Sequence, residues 1–209
     1  MLTLYSFPSS PFGCKVKAVI LACGLEKSVE IKEFHPWQPD PNFRKLNPLG
    51  KIPVLEDGKD TIFDSTVICE YLMEKSGMTE KLMPNRIHSL KIQSLTDGIA
   101  DAAVAIRYEL FFRPSHLQCM DWCKRQNLAM HSGLEYLDKN TLNQDVNFEN
   151  LCVVTLLSYL DLRFADENLK DKFQNLYNWR NQFMELYPFL NAVKAKDHPI
   201  PDGIDRLEK

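Results

Sequence analysis

The hydrophobic pattern at the start of the chain predicts a strand, a helix and a second strand. Apolar and more polar residues alternate over 2–5, as in a short half-buried strand. Ser10 is a good N-cap, and Pro11 is a good first helical residue because proline has no N–H to satisfy there. Apolar side chains then recur at helical spacing as far as Gly24, which suits a helix end. Alternation over 29–32 predicts the second strand.

The next segment, from residue 35, predicts an irregular loop, a hairpin and a further helix. Four prolines lie between residues 35 and 50, which leaves room there for at most a short helix. Residues 52–63 are typical of two strands joined by an Asp-Gly turn. Asp64 and Ser65 then open a helix with one apolar face.

The rest of the chain predicts long helices. Eight of the twelve prolines lie at or before Pro84, so the short elements and tight turns belong to the first part. Helical periodicity covers 86–112, 116–139, 148–165 and 170–187. We therefore expect an α/β domain at 1–78 and an all-helical domain at 86–209, whose polar end from residue 197 forms a surface tail.

Composition and charge argue against several classes of partner. The 209 residues include 25 Lys and Arg against 28 Asp and Glu, a formal net charge of −3. Nucleic acid and anionic membranes need a basic surface, so neither is the expected main partner, although a local basic pocket for a small anion is compatible with this balance. The longest apolar stretch, 153–162, is interrupted by polar residues, and the start of the chain lacks a signal-peptide pattern. Six scattered cysteines without a C-x-x-C pair indicate reduced thiols in a cytoplasmic protein.

Ser10 lies where the positive end of a helix dipole favours negative charge. A thiol bound beside it would lose its proton more easily, because the thiolate accepts hydrogen bonds and interacts with the dipole. The same effect lowers the pKa of cysteines at helix N-termini. Taken alone, capping of the helix is the simpler explanation of this serine.

Two further positions each have a functional and a simpler interpretation. Pro53 at a strand entry belongs on an edge or at a bend, and a cis bond there would hold the Ile52 backbone outward for an extended peptide-like ligand. An ordinary trans edge proline is the alternative. Asp64 and Ser65 at a helix start suit an ammonium and a carboxylate, which an amino-acid end carries on one carbon. A simple capping pair is the alternative there.

Three motifs in one order carry a family resemblance: SPFGCKVKAVILACG, then NPLGKIPVLEDG, then FDSTVICEYL. Together they resemble the N-terminal domain of cytosolic glutathione S-transferases, over most of residues 1–77. The S-P-F motif is similar to that of serine-type, tau-like members, whereas omega-like members have C-P-F at this place, and a bacterial-type member fits as well. The resemblance implies an α/β thioredoxin-like N-terminal domain followed by an all-α C-terminal domain, a homodimer, and a role in detoxification.

The resemblance also implies a role for each site residue. Ser10 would be the catalytic residue, donating a hydrogen bond to the glutathione sulfur, and Phe12 would offer an apolar wall at the mouth of the site. The remaining glutathione contacts would be Lys51 to the glycyl carboxylate, Ile52 through its backbone to the cysteinyl part before a cis Pro53, and Asp64 and Ser65 to the γ-glutamyl ammonium and carboxylate. Glutathione is the implied co-substrate, and no metal is required.

Two departures from the family pattern are visible in the sequence. Asp64 stands where members usually have Glu or Gln, and Asp is one methylene shorter, so the ammonium contact would be longer or water-bridged. The segment from Asn147 to Asn150 replaces a Ser/Thr-x-x-Asp capping box before a buried helix, and Asn caps as well as Ser does.

The implied reaction is addition of the glutathione thiolate to a small hydrophobic electrophile in the interdomain cleft. The protein would supply thiol activation and proximity. One alternative is a glutathione-binding regulatory or interaction protein with little catalysis, since fold does not fix function. Another is a glutathione-dependent reductase, peroxidase or isomerase on the same scaffold, although the hydroxyl of Ser10 cannot form a mixed disulfide.

The helix at 86–112 carries two stripes at helical spacing. The first predicts a core face: Leu95, Ile99, Ala102, Ile106 and Leu110. The second lines either the acceptor cleft or a dimer or solvent face: Asp97, Asp101, Ala105, Tyr108 and Phe112. Arg107 and Arg113 are equally compatible with surface charges and with ligand contacts.

The cysteines suggest core packing rather than metal chemistry. His116, Cys119 and Cys123 would share a helical face, but a structural zinc normally takes four ligands, and no fourth is apparent. Small buried side chains beside a histidine are the simpler interpretation. Cys14, one turn inside the first helix among apolar residues, is predicted to be an inert core thiol.

Overall fold

The computed structural model describes residues 1–37, 40–140 and 142–198. Four strands form one mixed sheet in the order β2-β1-β3-β4, with bounds β1 (Leu2–Ser6), β2 (Val29–Glu33), β3 (Val54–Asp57) and β4 (Asp60–Phe63). β1 and β2 are parallel, so the chain crosses between them as a helix, whereas β1–β3 and β3–β4 are antiparallel.

The α-helices of the described ranges surround this sheet and extend away from it. They are α1 (Pro11–Ala22), α2 (Phe43–Leu46), α3 (Ser65–Lys75), α4 (Thr79–Leu82), α5 (Arg86–Phe112), α6 (Met120–Lys139), α7 (Phe148–Arg163), α8 (Leu169–Lys172) and α9 (Gln174–Leu186). Within those ranges, no helix combines the length and the apolar character that crossing a bilayer requires.

The predicted fold class is confirmed: a thioredoxin-like mixed sheet with its helices is followed by a helical region. β3 begins at Val54 rather than at Ile52, because Pro53 has no N–H to donate to the sheet ladder. The irregular stretch 35–50 contains the short helix α2, as predicted, and α4 lies within the connection 78–85. We propose that the boundary between domains 1–78 and 86–209 falls in that connection.

Two helical predictions differ from the structure, one at its beginning and one by an internal break. The helix expected at 116–139 begins at Met120, because a separate 3-10 turn, Ser115–Leu117, precedes it. The helix expected at 170–187 is divided at Phe173 into α8 and α9. Apolar periodicity continues across such breaks, so the pattern alone does not reveal them.

One apolar cluster runs through both parts of the chain. α1 lies within it, packed against α3 and α7, with Val16 and Val19 fully buried. α5 packs on α6 and α7. Leu110 was predicted for the core stripe of α5 but is 44 % exposed. Successive helical residues are rotated by about 100°, so the side chain of Leu110 points about 60° away from the direction of Leu95, where the stripe begins.

α7 is buried along most of its length and begins at a polar cap. Asn147 Oδ1 accepts a hydrogen bond from the N–H of Asn150 at 2.9 Å, which confirms the predicted cap. The Asn150 side chain donates in turn to the carbonyls of Asn143 and Asp145 at 3.1 and 2.9 Å. The helix ends at Arg163, slightly before the predicted end.

A buried ion pair joins α1 to α5. Lys15 Nζ lies 2.8 and 2.7 Å from the two carboxylate oxygens of Asp97, and the Lys15 side chain is 3 % exposed. Thr66 of α3 donates to Asp97 Oδ2 at 3.4 Å, and the Gln93 amide donates to the same oxygen and to Thr66. Asp97 of α5 therefore forms polar contacts with both α1 and α3.

We expect Asp97→Ala to lower the free energy of unfolding by about 3–5 kcal/mol, because it leaves the Lys15 ammonium buried without its carboxylate. Lys15→Met, which removes the charge itself, should cost less. Urea denaturation measures both. Asp121→Ala, which removes the partner of Lys124 in an exposed ion pair, is the matched control and should change the midpoint little. An equal effect of Asp97→Ala and Asp121→Ala would contradict this assignment.

Candidate functional site

The first turn of α1 holds Ser10 at the helix N-terminus, as predicted. Its backbone is extended, with φ −76° and ψ 119°, and its Oγ accepts a hydrogen bond from the N–H of Gly13 at 3.1 Å. A hydroxyl has one O–H donor and two acceptor lone pairs, so this cap leaves the donor for another partner. The capping and thiol-binding interpretations of Ser10 therefore do not exclude each other.

Ser6 and Gly13 determine how closely this turn approaches β1. A Cβ on Gly13 would lie 2.1 Å from Ser6 Oγ and 3.3 Å from Ser6 Cβ. Ser6 is buried at the end of β1, so it has little room to move away. Glycine is therefore required three residues after Ser10, a constraint that the sequence analysis missed because it arises only when the strand and the helix meet.

The segment before β3 forms a second part of the site. The Ile52–Pro53 peptide bond is cis, as the resemblance implied, and Gly50 has φ +65°, a conformation that favours glycine. Asn47 is buried and organises this loop: its side-chain amide donates to the Lys51 carbonyl at 2.8 Å, and its Oδ1 accepts from the backbone N–H two residues further on at 3.0 Å. Asn47 was not predicted as a site residue, although the NPLG motif contains it.

Asp64 caps α3 from a backbone conformation with positive φ, 68°. Its Oδ1 accepts a hydrogen bond from the N–H of Thr66 at 2.8 Å, and Ser65 is buried as the first residue of α3. The capping interpretation of Asp64 is thus realised. The exposed carboxylate and the helix N-terminus behind it remain next to one another, the arrangement that suits an amino-acid end.

A cavity of about 470 Å³ lies between the α/β part and the helical region. Four of the predicted site residues line it: Ser10, Phe12, Lys51 and Ile52. Asp64 and Ser65 are outside this lining. The structure therefore brings together the first two motifs at the cavity and leaves the third beside it.

Asp101 of α5 connects the cavity to the third motif. Burial raises the pKa of its carboxyl, and the charges of Asp97 and Asp64 raise it further, whereas Lys51 and Lys15 act in the opposite direction. Asp101 and Lys51 both line the cavity. Asp64 thus contributes to the raised pKa of one carboxyl of the cavity wall.

Three of the five residues of the second stripe of α5 line the cavity, and Asp97 and Ala105 do not. Asp101, Tyr108 and Phe112 line it, in agreement with the cleft alternative, whereas Asp97 is engaged by Lys15. The intervening Val104, Arg107 and Phe111 also line the cavity and were not predicted as a group. The cavity contacts a wider part of the α5 circumference than one stripe of residues occupies. Helical periodicity therefore predicts only some of the α5 residues that line it.

An aromatic wall closes one side of the cavity. The rings of Trp37 and Phe112 are stacked, with centroids 4.1 Å apart and an angle of 13°. Tyr108 contacts Trp37 edge-on at 5.2 Å and Phe112 edge-on at 5.5 Å. Trp37 comes from the irregular stretch before α2, where no periodicity could have assigned it a face.

The last described residues, 197 and 198, are exposed, as predicted for a surface tail, and they also line the cavity. Arg163 of α7 donates to Asp197 at 2.9 Å, and His198 Nε2 lies 3.2 Å from a carboxylate oxygen of Glu33. Asp197 and His198 are both part of the lining. The remainder of the predicted tail, 199–209, lies outside the described residues.

The predictions about Cys14 and about a metal site at His116, Cys119 and Cys123 can both be compared with the structure. Burial raises the pKa of the Cys14 thiol to about 11, so it stays protonated at neutral pH, consistent with an inert core thiol. Because α6 begins only at Met120, His116, Cys119 and Cys123 do not share one helical face. In the part of the chain that the structure describes, no group of three or more His, Cys, Asp or Glu side chains could hold a metal ion.

Comparison with known sequences agrees with the motifs. The family model for "Glutathione S-transferase, N-terminal domain" matches residues 4–80. Glutathione S-transferase Z2 of Arabidopsis thaliana is 35% identical over 215 residues, which cover 97% of this chain and 95% of that protein. The uncharacterized GST-like protein YibF of Escherichia coli (strain K12) is 34% identical over 167 residues, which cover 74% of this chain and 80% of that protein.

Solved structures are similar over nearly the whole chain. A glutathione transferase family member from Pseudomonas fluorescens Pf-5, with bound glutathione, has a TM-score of 0.85 at 27% identity, covering 94% of this chain and 100% of that chain. A glutathione S-transferase from Methylobacillus flagellatus KT, with GSH bound, has a TM-score of 0.84 at 26% identity, with the same coverage. Fold and sequence thus define one class, a thioredoxin-like domain with a helical region attached. The chain belongs to the glutathione S-transferase family.

We expect Gly13→Ala to destabilise the protein by about 1–3 kcal/mol, because the added methyl would overlap the Ser6 hydroxyl and displace the first turn of α1. Gly98→Ala is the matched control: it lies in α5 with nothing within 4 Å of an added Cβ, and it should stabilise by about 0.5–1 kcal/mol. Thermal and urea unfolding measure both. A neutral or stabilising effect of Gly13→Ala would disprove the close approach.

Proposed function

We propose that the protein is a serine-type glutathione transferase in which Ser10 activates the glutathione thiol for attack on a small hydrophobic electrophile. The observation that carries this proposal is that Ser10 caps α1 with its hydroxyl and lines a cavity whose lining also includes several aromatic side chains. The neighbouring structures with bound glutathione support the identity of the co-substrate. The S-P-F motif supports the serine-type assignment, and the affinity to tau-like and omega-like members stays a prediction.

Thiol activation would follow from the position of Ser10. The free O–H donor of this residue can donate to the glutathione sulfur, and the N-terminus of α1 favours negative charge beside it. Both effects stabilise the thiolate over the thiol, so the sulfur is deprotonated at lower pH than in water. The thiol proton leaves to solvent, the sulfur forms a bond to the electrophilic carbon, and the leaving group, a halide in an aryl halide, departs with the electron pair of the bond that breaks. Proximity in the cavity supplies the rest of the rate.

The remaining proposed glutathione contacts follow the peptide from end to end. Lys51 would bind the glycyl carboxylate, the Ile52 backbone would pair with the cysteinyl part, and Phe12 would provide an apolar contact at the mouth. Asp64 and Ser65 would bind the γ-glutamyl ammonium and carboxylate. The cis bond after Ile52 and the exposed Asp64 at the α3 N-terminus support these assignments.

Conjugation is favoured over thiol-disulfide exchange. A serine at position 10 cannot form a mixed disulfide, and the nearby Cys14 is buried and protonated. The alternative function is that of a glutathione-binding protein with little catalysis. The conjugation assay described below distinguishes the two.

We also propose a homodimer in the cytoplasm with a role in detoxification. Three apolar side chains that a partner would cover support the dimer: Phe63, Val67 and Ile87 are 36 %, 53 % and 74 % exposed. All six cysteines are free thiols, which supports a reducing compartment.

We expect Ser10→Ala to lower kcat/KM for conjugation of a chromogenic aryl halide about 100-fold, because the thiolate loses its hydrogen-bond donor. Ser10→Thr keeps the hydroxyl and should retain most of the activity. Asn85→Ala is the matched control, since it removes a helix N-cap of the same kind from α5, away from the cavity, and should leave turnover unchanged. The pKa of the bound thiol, read from the pH profile of kcat/KM, should rise in Ser10→Ala.

Two results would contradict this function. Equal activity of wild type and Ser10→Ala would mean that Ser10 does not stabilise the thiolate. Retention of the wild type on a glutathione column without turnover of a panel of electrophiles would favour the regulatory binding protein.

We expect Asp64→Asn to raise KM for glutathione about 10-fold with little change in kcat, because the amide still caps α3 but no longer attracts the γ-glutamyl ammonium. Steady-state kinetics with varied glutathione measure the change. Asp60→Asn, an exposed carboxylate on β4, is the control and should behave as wild type. An unchanged KM in Asp64→Asn would remove Asp64 from the binding site.

A further inference from the structure

The irregular segment between β2 and α2 contributes an aromatic side chain to the cavity. Trp37 lies in this segment, outside the helices and strands, and lines the same cavity as Ser10. It is 43 % exposed although it belongs to a concave site. A large ring that stays partly exposed in such a site can make offset-stacked or edge-on contacts with a ring of a ligand.

The rings of Phe112 and Tyr108 fix the orientation of the Trp37 indole. Trp37 and Phe112 are stacked, with centroids 4.1 Å apart and an angle of 13°, so Phe112 covers one face of the indole. The Tyr108 centroid lies at nearly equal distances from both, 5.2 Å from Trp37 and 5.5 Å from Phe112, and its ring is almost perpendicular to them. Tyr108 is therefore beside the stacked pair, and neither ring covers the outer face of the indole. A third ring, parallel to the first two, fits that face.

A buried histidine holds the backbone of Trp37. The N–H of Trp37 donates to Nδ1 of His35 at 3.3 Å, a contact between residues two apart in the chain, like that of an Asx turn. Nδ1 accepts only in the neutral imidazole, and burial lowers the pKa of His35, with His198 acting in the same direction. The His35 ring packs edge-on against the buried Phe7 at 4.7 Å. Since Phe7 directly follows β1, the position of Trp37 is tied to the sheet.

We propose that Trp37 selects the acceptor by stacking the outer face of its indole on a planar aromatic ring of the electrophile, and that His35 is a positioning residue for Trp37. This inference rests on the proposed conjugating function, since it names the substrate class of the same cavity. A planar ring can lie parallel to the indole over its whole face. A saturated ring of the same size is puckered and approaches the indole closely with only some of its atoms.

The test compares two conjugates that differ only in the ring carried by the glutathione sulfur: S-benzylglutathione and S-(cyclohexylmethyl)glutathione. The cyclohexyl group has the larger apolar surface, so burial alone would favour it. Stacking favours the benzyl group, and we expect isothermal titration calorimetry to give a dissociation constant about 5-fold lower for S-benzylglutathione. This measurement does not depend on turnover and needs no variant.

Variants of Trp37 locate the preference. Trp37→Leu should abolish it, and Trp37→Phe should keep part of it, because a smaller ring still stacks. In Trp37→Leu, KM for an aromatic acceptor should rise while KM for glutathione stays as in wild type. Trp122→Leu is the matched control: it replaces an exposed tryptophan of α6 outside the cavity lining and should keep the wild-type ratio of dissociation constants.

Variants of His35 test its positioning role. His35→Phe keeps a ring against Phe7 but has no acceptor for the Trp37 N–H, and we expect it to bring the two dissociation constants closer together. His35→Asn should recover most of the preference, because an asparagine side chain accepts from the N–H two residues further on. An equal loss in both variants would overturn the role of His35, since loss of packing alone is not rescued by a new acceptor.

Each contrary outcome has its own meaning. Equal affinities in wild type, or tighter binding of the cyclohexylmethyl conjugate, overturn the stacking inference, and turnover of the aryl halide then leaves the conjugating function standing. A preference that survives in Trp37→Leu overturns the assignment to Trp37. No turnover together with a retained preference overturns the conjugating function and leaves Trp37 as the residue that selects an aromatic ligand. No binding of either conjugate overturns both.

Discussion

The buried ion pair between Lys15 and Asp97 is the constraint on which the site depends. α1 begins at the Ser10 cap and carries Lys15 one turn inside, and Asp97 lies one turn before Asp101, where α5 begins to line the cavity. A buried charge is tolerated only with its partner, so the distance between the two helices is held within narrow limits. The place where a thiol would be activated and the wall that would hold its electrophile are therefore fixed relative to each other.

The cavity itself combines contributions that no single element could supply. β1 and α1 bring the serine, the loop ordered by Asn47 brings Lys51 and Ile52, and α5 brings aromatic rings and an arginine. Trp37 completes the wall from an irregular segment, stacked on Phe112. Membership in the glutathione S-transferase family accounts for the first two contributions. The contacts among Trp37, Tyr108 and Phe112 form the aromatic wall of this cavity.

Local physics explains which sequence predictions were correct. The Ser10 cap, the hairpin at its Asp-Gly turn and the Asn147 cap depend on neighbours within a few residues, so the sequence already contained them. The start of α6 and the break at Phe173 depend on contacts that apolar periodicity does not encode, and both were misplaced. The ion pair of Asp197 with Arg163 was not predicted for a related reason, since the two residues are distant in the chain.

The sequence by itself determined the succession of elements, the chemistry of the three motifs and the family they resemble, because caps, turns and periodic faces act over short distances. Only the tertiary structure decided that Gly13 must be glycine, that Asp64 stands beside the cavity rather than in its lining, and which face of α5 the cavity uses. Those outcomes depend on how closely two elements approach each other, and that distance is set by packing and by a buried charge pair between residues far apart in the chain.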